Sequence, residues 1–363
     1  MRLLHECDAH SLQVVTLSNA RRIFINSVPK SGTNLLKRLL ELLGYRDQNC
    51  RSARRRIYQR LFDVLGLGTP WSLHHGNVHR HVRVAGPPSR SKTKSMPVGL
   101  RSTIRVPVPI VRAWLEDVPP GYFFTGHVPW SRTFENLLEQ LDYCQIVIFR
   151  DPLDVITSRL KYEQNWSRIR YGRSLTGRFL NVIRWLIRSL PGLDVTLEDE
   201  LRKRNRREVL TYLLKGGRSE ERNDVHGLLD QYRMMTPWTS SERTHAVLFR
   251  NLIGPEGSGS RTRQRTAVQE IARFLNLSLS SEQRESVVRR IYNPRSKTFR
   301  RGSTATDPSI RNDIRNSSLE QPLAEIYSRL DEHVATNVHR PPFLDLPEKR
   351  ERADHGSVPD AVP

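Results

Sequence analysis

Lys30, Ser31, Gly32 and Thr33 crowd into one short turn, and each can help hold an anion. Lys30 brings a full positive charge, Ser31 and Thr33 bring hydroxyl donors, and Gly32 lets the backbone approach closely. A second polar group stands at Arg150, with Ser158 eight residues later. A planar guanidinium and a hydroxyl converging on one phosphate make a sensible pair. Between the two lies His127, in the segment FFTGHVPW. Imidazole titrates near neutrality, so it can take a proton from a hydroxyl and keep it. The chemistry these types suggest is binding of a phosphorylated ligand beside a general base.

The flanking patterns supply the elements that must position these groups. Ile23 to Ile25 reads as a buried strand, and Leu35, Leu36, Leu39, Leu40, Leu42 and Leu43 follow at helical spacing up to Gly44. A strand, tight turn and helix in that order expose unpaired backbone N–H groups at the positive end of a helix dipole. Asn34 lies in that first turn and joins the candidate ligand set. The alternative is an ordinary polar turn. Gln145 to Arg159 repeats the arrangement: Ile146 to Phe149 as strand, Asp151 as N-cap, Pro152 at the first helical position. Here the alternative is that Arg150 pairs with Asp154 while Ser158 faces a neighbouring helix.

The turn is not the common nucleotide loop, in which lysine follows the last glycine. Lys30 precedes Gly32. PKSGTNLL instead resembles the 5′-phosphosulfate loop of sulfotransferases that use 3′-phosphoadenosine 5′-phosphosulfate (PAPS), and RDPLDVITS resembles their 3′-phosphate segment. KTFRRG, from Lys297 to Gly302, resembles their late basic loop, adding Arg300, Arg301 and Gly302 to the cofactor-binding candidates. AVLFRNLIGPEGSG resembles a late strand and turn usually written around Tyr-Glu-Asp; Phe249, Arg250 and Asn251 stand there instead. The resemblance implies a central parallel sheet flanked by helices, related to the nucleotide kinases. It implies PAPS as donor, with Lys30, Ser31, Gly32, Thr33 and Asn34 at the 5′ end and Arg150, Ser158 and Arg300 at the 3′-phosphate. It also implies His127 as base and Lys30 as the cation on the leaving phosphate, with no metal. Family members often carry Lys-Thr-His here; this chain has Thr125, Gly126 and His127, so Lys30 acts alone or another residue is recruited.

The chain has 363 residues and a formal net charge of +21, more than a nucleotide needs, so an anionic partner or surface is expected. The acceptor is read as a small molecule, carbohydrate or lipid, with a hydroxyl favoured over an amine. A nucleotide-dependent kinase lacks its lysine after glycine and a carboxylate placed for metal. A nucleic-acid-binding protein lacks a recognised module and regular aromatic interleaving of its basic residues. Three scattered cysteines make no disulfide framework, no signal peptide opens the chain, and no apolar run reaches membrane-spanning length. The expected home is the cytoplasm.

The expected order is an extension over residues 1–19, a catalytic domain over 20–305, a helical extension over 306–340 and a disordered tail over 341–363. Residues 74–110 read as a basic surface loop or lid, in which His74, His75, His79 and His81 are solvated. Residues 160–235 read as helical and acceptor-shaping. Phe179 to Leu190 form a basic amphipathic stripe that can pack on the sheet or meet a membrane surface.

Overall fold

The structure is a computed structural model that describes residues 20–48, 69–70, 72–84, 94–170, 206–218, 224–292, 308–315 and 318–336. Its centre is a five-stranded sheet in which every pairing is parallel. The strands are β1 (Arg22–Ser27), β2 (Arg46–Asp47), β5 (Tyr122–Gly126), β6 (Tyr143–Phe149) and β9 (Thr244–Leu248), in the order β2-β5-β1-β6-β9. Two antiparallel hairpins flank it: β3 (Ser95–Val98) with β4 (Ile104–Pro107), and β7 (Gly216–Arg218) with β8 (Asp224–His226). The fold is α/β, with a parallel sheet covered by helices.

Alternation along the strands explains the layers. Side chains of a strand point to opposite faces in turn, and a parallel sheet is buried on both. On β1, Ile23 and Ile25 enter one core while Phe24 enters the other; on β6, Cys144, Ile146 and Ile148 part from Tyr143, Val147 and Phe149 in the same way. Helices α1 (Thr33–Leu42), α9 (Arg261–Phe274) and α10 (Ser281–Ile291) cover the first face through residues such as Leu36, Ile271 and Val288. The opposite face takes α3 (Val108–Glu116), α4 (Arg132–Gln140), α5 (Pro152–Arg170), α6 (Arg206–Lys215) and α7 (Leu228–Met235). The short α8 spans Phe249–Leu252.

Two expectations need correction. Residues 74–110 are not a surface loop where the structure describes them. They form α2 (His75–Val84), the β3–β4 hairpin and the start of α3, and Met96, Val98, Leu100 and Val106 are fully buried. Proline at 97 and 107 and glycine at 99 disguise an alternation that the hairpin nevertheless uses. The helices α11 (Pro308–Arg315) and α12 (Glu320–Thr336) do not form a separate extension either. Ile310, Ile314, Leu323, Ile326 and Leu330 enter the same core as Phe149 and Tyr232. The Phe179 to Leu190 stripe, the KTFRRG loop and the tail lie outside the described residues.

The sheet order places the site. The turn after β1 leads into α1 on one face, while the turn after β6 leads into α5 on the other. Adjacent parallel strands whose connections diverge open a crevice at their carboxyl ends, where ligands bind in open α/β sheets. Ser27 pairs with Ile148, so the turns carrying Lys30 and Arg150 leave neighbouring strands at the same end.

Candidate active site

Helix α1 starts at Thr33 behind Gly32, and no side chain caps it. Its first amides therefore face the turn unpaired by a cap, as an anion site requires. The turn is held in uncommon geometry: Lys30 has φ 76 and Gly32 has φ 112. A Cβ on Gly32 would also come within 2.4 Å of the Phe249 ring, so glycine is needed twice over. The Lys30 ammonium lies 3.1 Å from the centre of the Tyr162 ring, a cation–π contact. Ser31 is fully buried, Thr33 half-buried and Asn34 exposed.

Arg150 reaches the same ground from β6. Its guanidinium stacks on Phe249 at 4.4 Å from the ring centre, so that ring touches both the Lys30 turn and Arg150. Tyr232, fully buried on α7, donates its hydroxyl hydrogen bond to the Arg150 carbonyl. Asp151 caps α5, accepting from the N–H groups of Leu153 at 2.8 Å and Asp154 at 3.3 Å. Burial and the neighbouring Asp154 raise the Asp151 carboxyl above its usual range. Arg150 hydrogen-bonds Asp154 at 3.4 and 3.5 Å rather than Ser158, so the ion pair weighed as the alternative is present. Those lengths are long for a charge-assisted bond. Ser158 is half-buried, two turns into α5. Arg300, Arg301 and Gly302 lie outside the described residues.

His127 closes the site from β5. Asn26 of β1 grips the next residue twice: its amide donates to the Val128 carbonyl and its oxygen accepts from the Val128 N–H, both at 2.9 Å. Trp238 adds a third bond to Val128 at 3.1 Å. The His127 Nδ1 is 2.6 Å from the Ser27 carbonyl oxygen, which can only accept, so Nδ1 carries the proton and donates it. That assignment leaves the lone pair on Nε2. The Ser27 hydroxyl lies 3.2 Å from Nδ1 and 2.7 Å from the Thr33 hydroxyl, a polar chain from α1 to the imidazole. Burial, followed by the charges of Arg159 and Lys30, lowers His127 to about 4, against the hydrogen bond to Ser27. The ring is neutral near pH 7.

Sequence reasoning passed over five side chains here. His74, read as solvated, stacks on His127 with centroids 3.9 Å apart and planes 5° apart. A short parallel bridge causes this: the Leu73 N–H donates to the Thr125 carbonyl at 2.9 Å, and the His127 N–H to the Leu73 carbonyl at 3.1 Å. The His74 Nε2 is buried without a hydrogen-bond partner, and burial beside His127, Lys37 and Lys30 holds His74 well below its ordinary value. His81 is also buried, its Nδ1 2.8 Å from the Asn77 carbonyl, with its ring edge-on to Trp114. Tyr162, Arg159, Tyr232 and Phe249 complete the five with His74. Only Phe249 carried a signal, as the aromatic before the lost acidic pair. Arg250, its neighbour, turns away to pair with Asp331 on α12.

The architecture defines an α/β protein in which two turns leave adjacent strands at one end of the sheet with a neutral imidazole beside them. The family model described as the sulfotransferase domain matches residues 20–183, which hold both turns and His127. This stretch of the chain is similar to sulfotransferase domains. No curated protein matches the chain. Among solved structures, mouse sulfotransferase SULT7A1 complexed with PAP is 14% identical, with a TM-score of 0.40 over 84% of this chain and 88% of that one. Among the described residues no helix is long and apolar enough to cross a membrane.

Proposed function

We propose that the protein transfers the sulfuryl group of PAPS to a hydroxyl of an acceptor. The observation that carries this reading is convergence. Two anion-binding turns leave adjacent strands at one end of the sheet and share Phe249, with a fixed neutral imidazole beside them. Two separate cationic turns suit a ligand with phosphates at both ends of a nucleoside better than a single phosphate. Lys30, the α1 amides and the hydroxyls of Ser31 and Thr33 hold the 5′ end, with Asn34 at its exposed rim. Arg150 holds the 3′-phosphate, aided by Ser158 and by the basic loop of Arg300, Arg301 and Gly302. A doubly charged phosphate competes well for Arg150 against a single, long carboxylate contact.

In the reaction, the acceptor oxygen forms a bond to sulfur while the bond from sulfur to the 5′-phosphate oxygen breaks. The electron pair of that bond stays on the departing phosphate, and the acceptor proton passes to His127 Nε2. Lys30 and the helix amides stabilise the charge that grows on the phosphate, the electrostatic contribution usually largest in such sites. The Ser27 carbonyl keeps Nδ1 protonated throughout and stabilises the imidazolium once formed. The acceptor class stays with small molecules, carbohydrates and lipids, and the excess of positive charge favours an anionic one.

The test is transfer of labelled sulfate from PAPS to a panel of hydroxyl acceptors by the full chain. His127→Gln is expected to lower kcat by about a hundredfold or more while PAP (3′-phosphoadenosine 5′-phosphate) affinity is kept. A His127→Gln enzyme with near-normal kcat would remove the base assignment.

A further inference from the structure

The hydrogen bonds of His127 hold its backbone and its Nδ1; the plane of the ring is set by a further contact. Asn26 and Trp238 fix the next residue, and Ser27 meets Nδ1. A ring tied at one nitrogen can swing about that bond, carrying the opposite nitrogen with it. The His74 ring lies flat against the imidazole, with centroids 3.9 Å apart and planes 5° apart, and blocks that swing on one side. His74 itself stands on fixed backbone. Before it, Leu73 is bridged to the end of β5, its N–H donating to the Thr125 carbonyl and its carbonyl accepting from the His127 N–H. After it, α2 begins, and the His74 carbonyl accepts from the N–H groups of Asn77 at 3.1 Å and Val78 at 3.0 Å. The His74 Nε2 is buried without a hydrogen-bond partner among the described residues, so that nitrogen does not hold the ring, whereas the stack on His127 does.

Resting on the sulfuryl-transfer reading, we propose that His74 is a positioning residue for the base: its ring face holds the His127 imidazole in the plane from which Nε2 meets the acceptor hydroxyl, and lies against the imidazolium once the proton has arrived. General-base catalysis needs that nitrogen within hydrogen-bond reach of the proton, and a small misplacement is costly. An aromatic face also attracts a cation. Burial, with the charges of His127, Lys37 and Lys30, holds His74 itself neutral, so the stacked pair carries one proton and not two. Leucine at 74 would fill the place and offer no face. Phenylalanine would keep the face and drop both nitrogens.

Steady-state kinetics of the full chain test this, with PAPS and the hydroxyl acceptor that the wild type turns over fastest, beside calorimetric binding of PAP. His74→Leu is expected to lower kcat by about tenfold or more, while KM for the acceptor and Kd for PAP each change by less than about threefold. His74→Phe is expected to recover most of the lost kcat. His74→Gln, which keeps a nitrogen and loses the face, is expected to be as slow as His74→Leu, and it stands in if the leucine variant fails to fold. Near-normal kcat in His74→Leu or His74→Gln, beside an impaired His127→Gln, would overturn the proposal alone. A His74→Phe chain as slow as His74→Leu would overturn it too, because a nitrogen and not the face would then matter. A wild-type chain that transfers no sulfate from PAPS, or a His127→Gln chain with near-normal kcat, would overturn the reading beneath it, and this assignment with it.

Discussion

The bond from His127 Nδ1 to the Ser27 carbonyl decides which nitrogen can act, and the surroundings decide when. Burial and nearby cations hold the ring at about 4, so it is neutral over the whole physiological range. Binding an anion next to it favours the imidazolium and raises that value. As the proposed base, His127 would work deprotonated, so activity would be lost only as pH falls. At saturating PAPS, kcat is therefore expected to be flat from pH 8 to 6.5, with the acid limb between 4 and 6.5. A limb above 7 in a pH–rate profile would contradict the assignment. The place of His127 just after a strand was legible because an apolar run ends in glycine before it. His74 was not, because four histidines in a polar stretch look solvated. Its stacking depends on the Leu73–Gly126 bridge, a contact between residues over fifty positions apart that no local pattern announces.

At the scale of elements, the two helix starts beside the crevice differ. The N-terminus of α1 has no side-chain cap, whereas that of α5 is capped by its own Asp151. Asp151→Ala is expected to destabilise the protein by about 1 kcal/mol in urea unfolding, with Asp151→Asn near wild type. Equal effects of the two variants would mean that the carboxylate charge, not the cap, matters. Both strand–turn–helix units were readable because each carries its own apolar run, turn chemistry and helix start within fifteen residues. The β3–β4 hairpin was hidden because its buried residues are interrupted by prolines and its packing partners, among them α3 and β8, come later in the chain. Helices α11 and α12 looked like an appendage for the same reason: only the assembled core shows that Leu323 and Leu330 share it with Phe149.

At the scale of the whole molecule, the strand order creates the crevice. β1 lies between β5 and β6, its helix crosses one face and that of β6 crosses the other, and the three site-bearing turns meet at one end of the sheet. The net charge of +21 belongs to the whole chain and favours anionic partners. The central claim is that one adenosine bearing phosphates at both ends bridges Lys30 and Arg150. Its most direct test is calorimetric binding of PAP and AMP to the wild-type chain and to Arg150→Ala. The account predicts that the wild type prefers PAP by at least tenfold and that Arg150→Ala erases the preference, leaving AMP affinity unchanged. Equal affinity of the wild type for the two nucleotides, or a preference for PAP that survives Arg150→Ala, would contradict it.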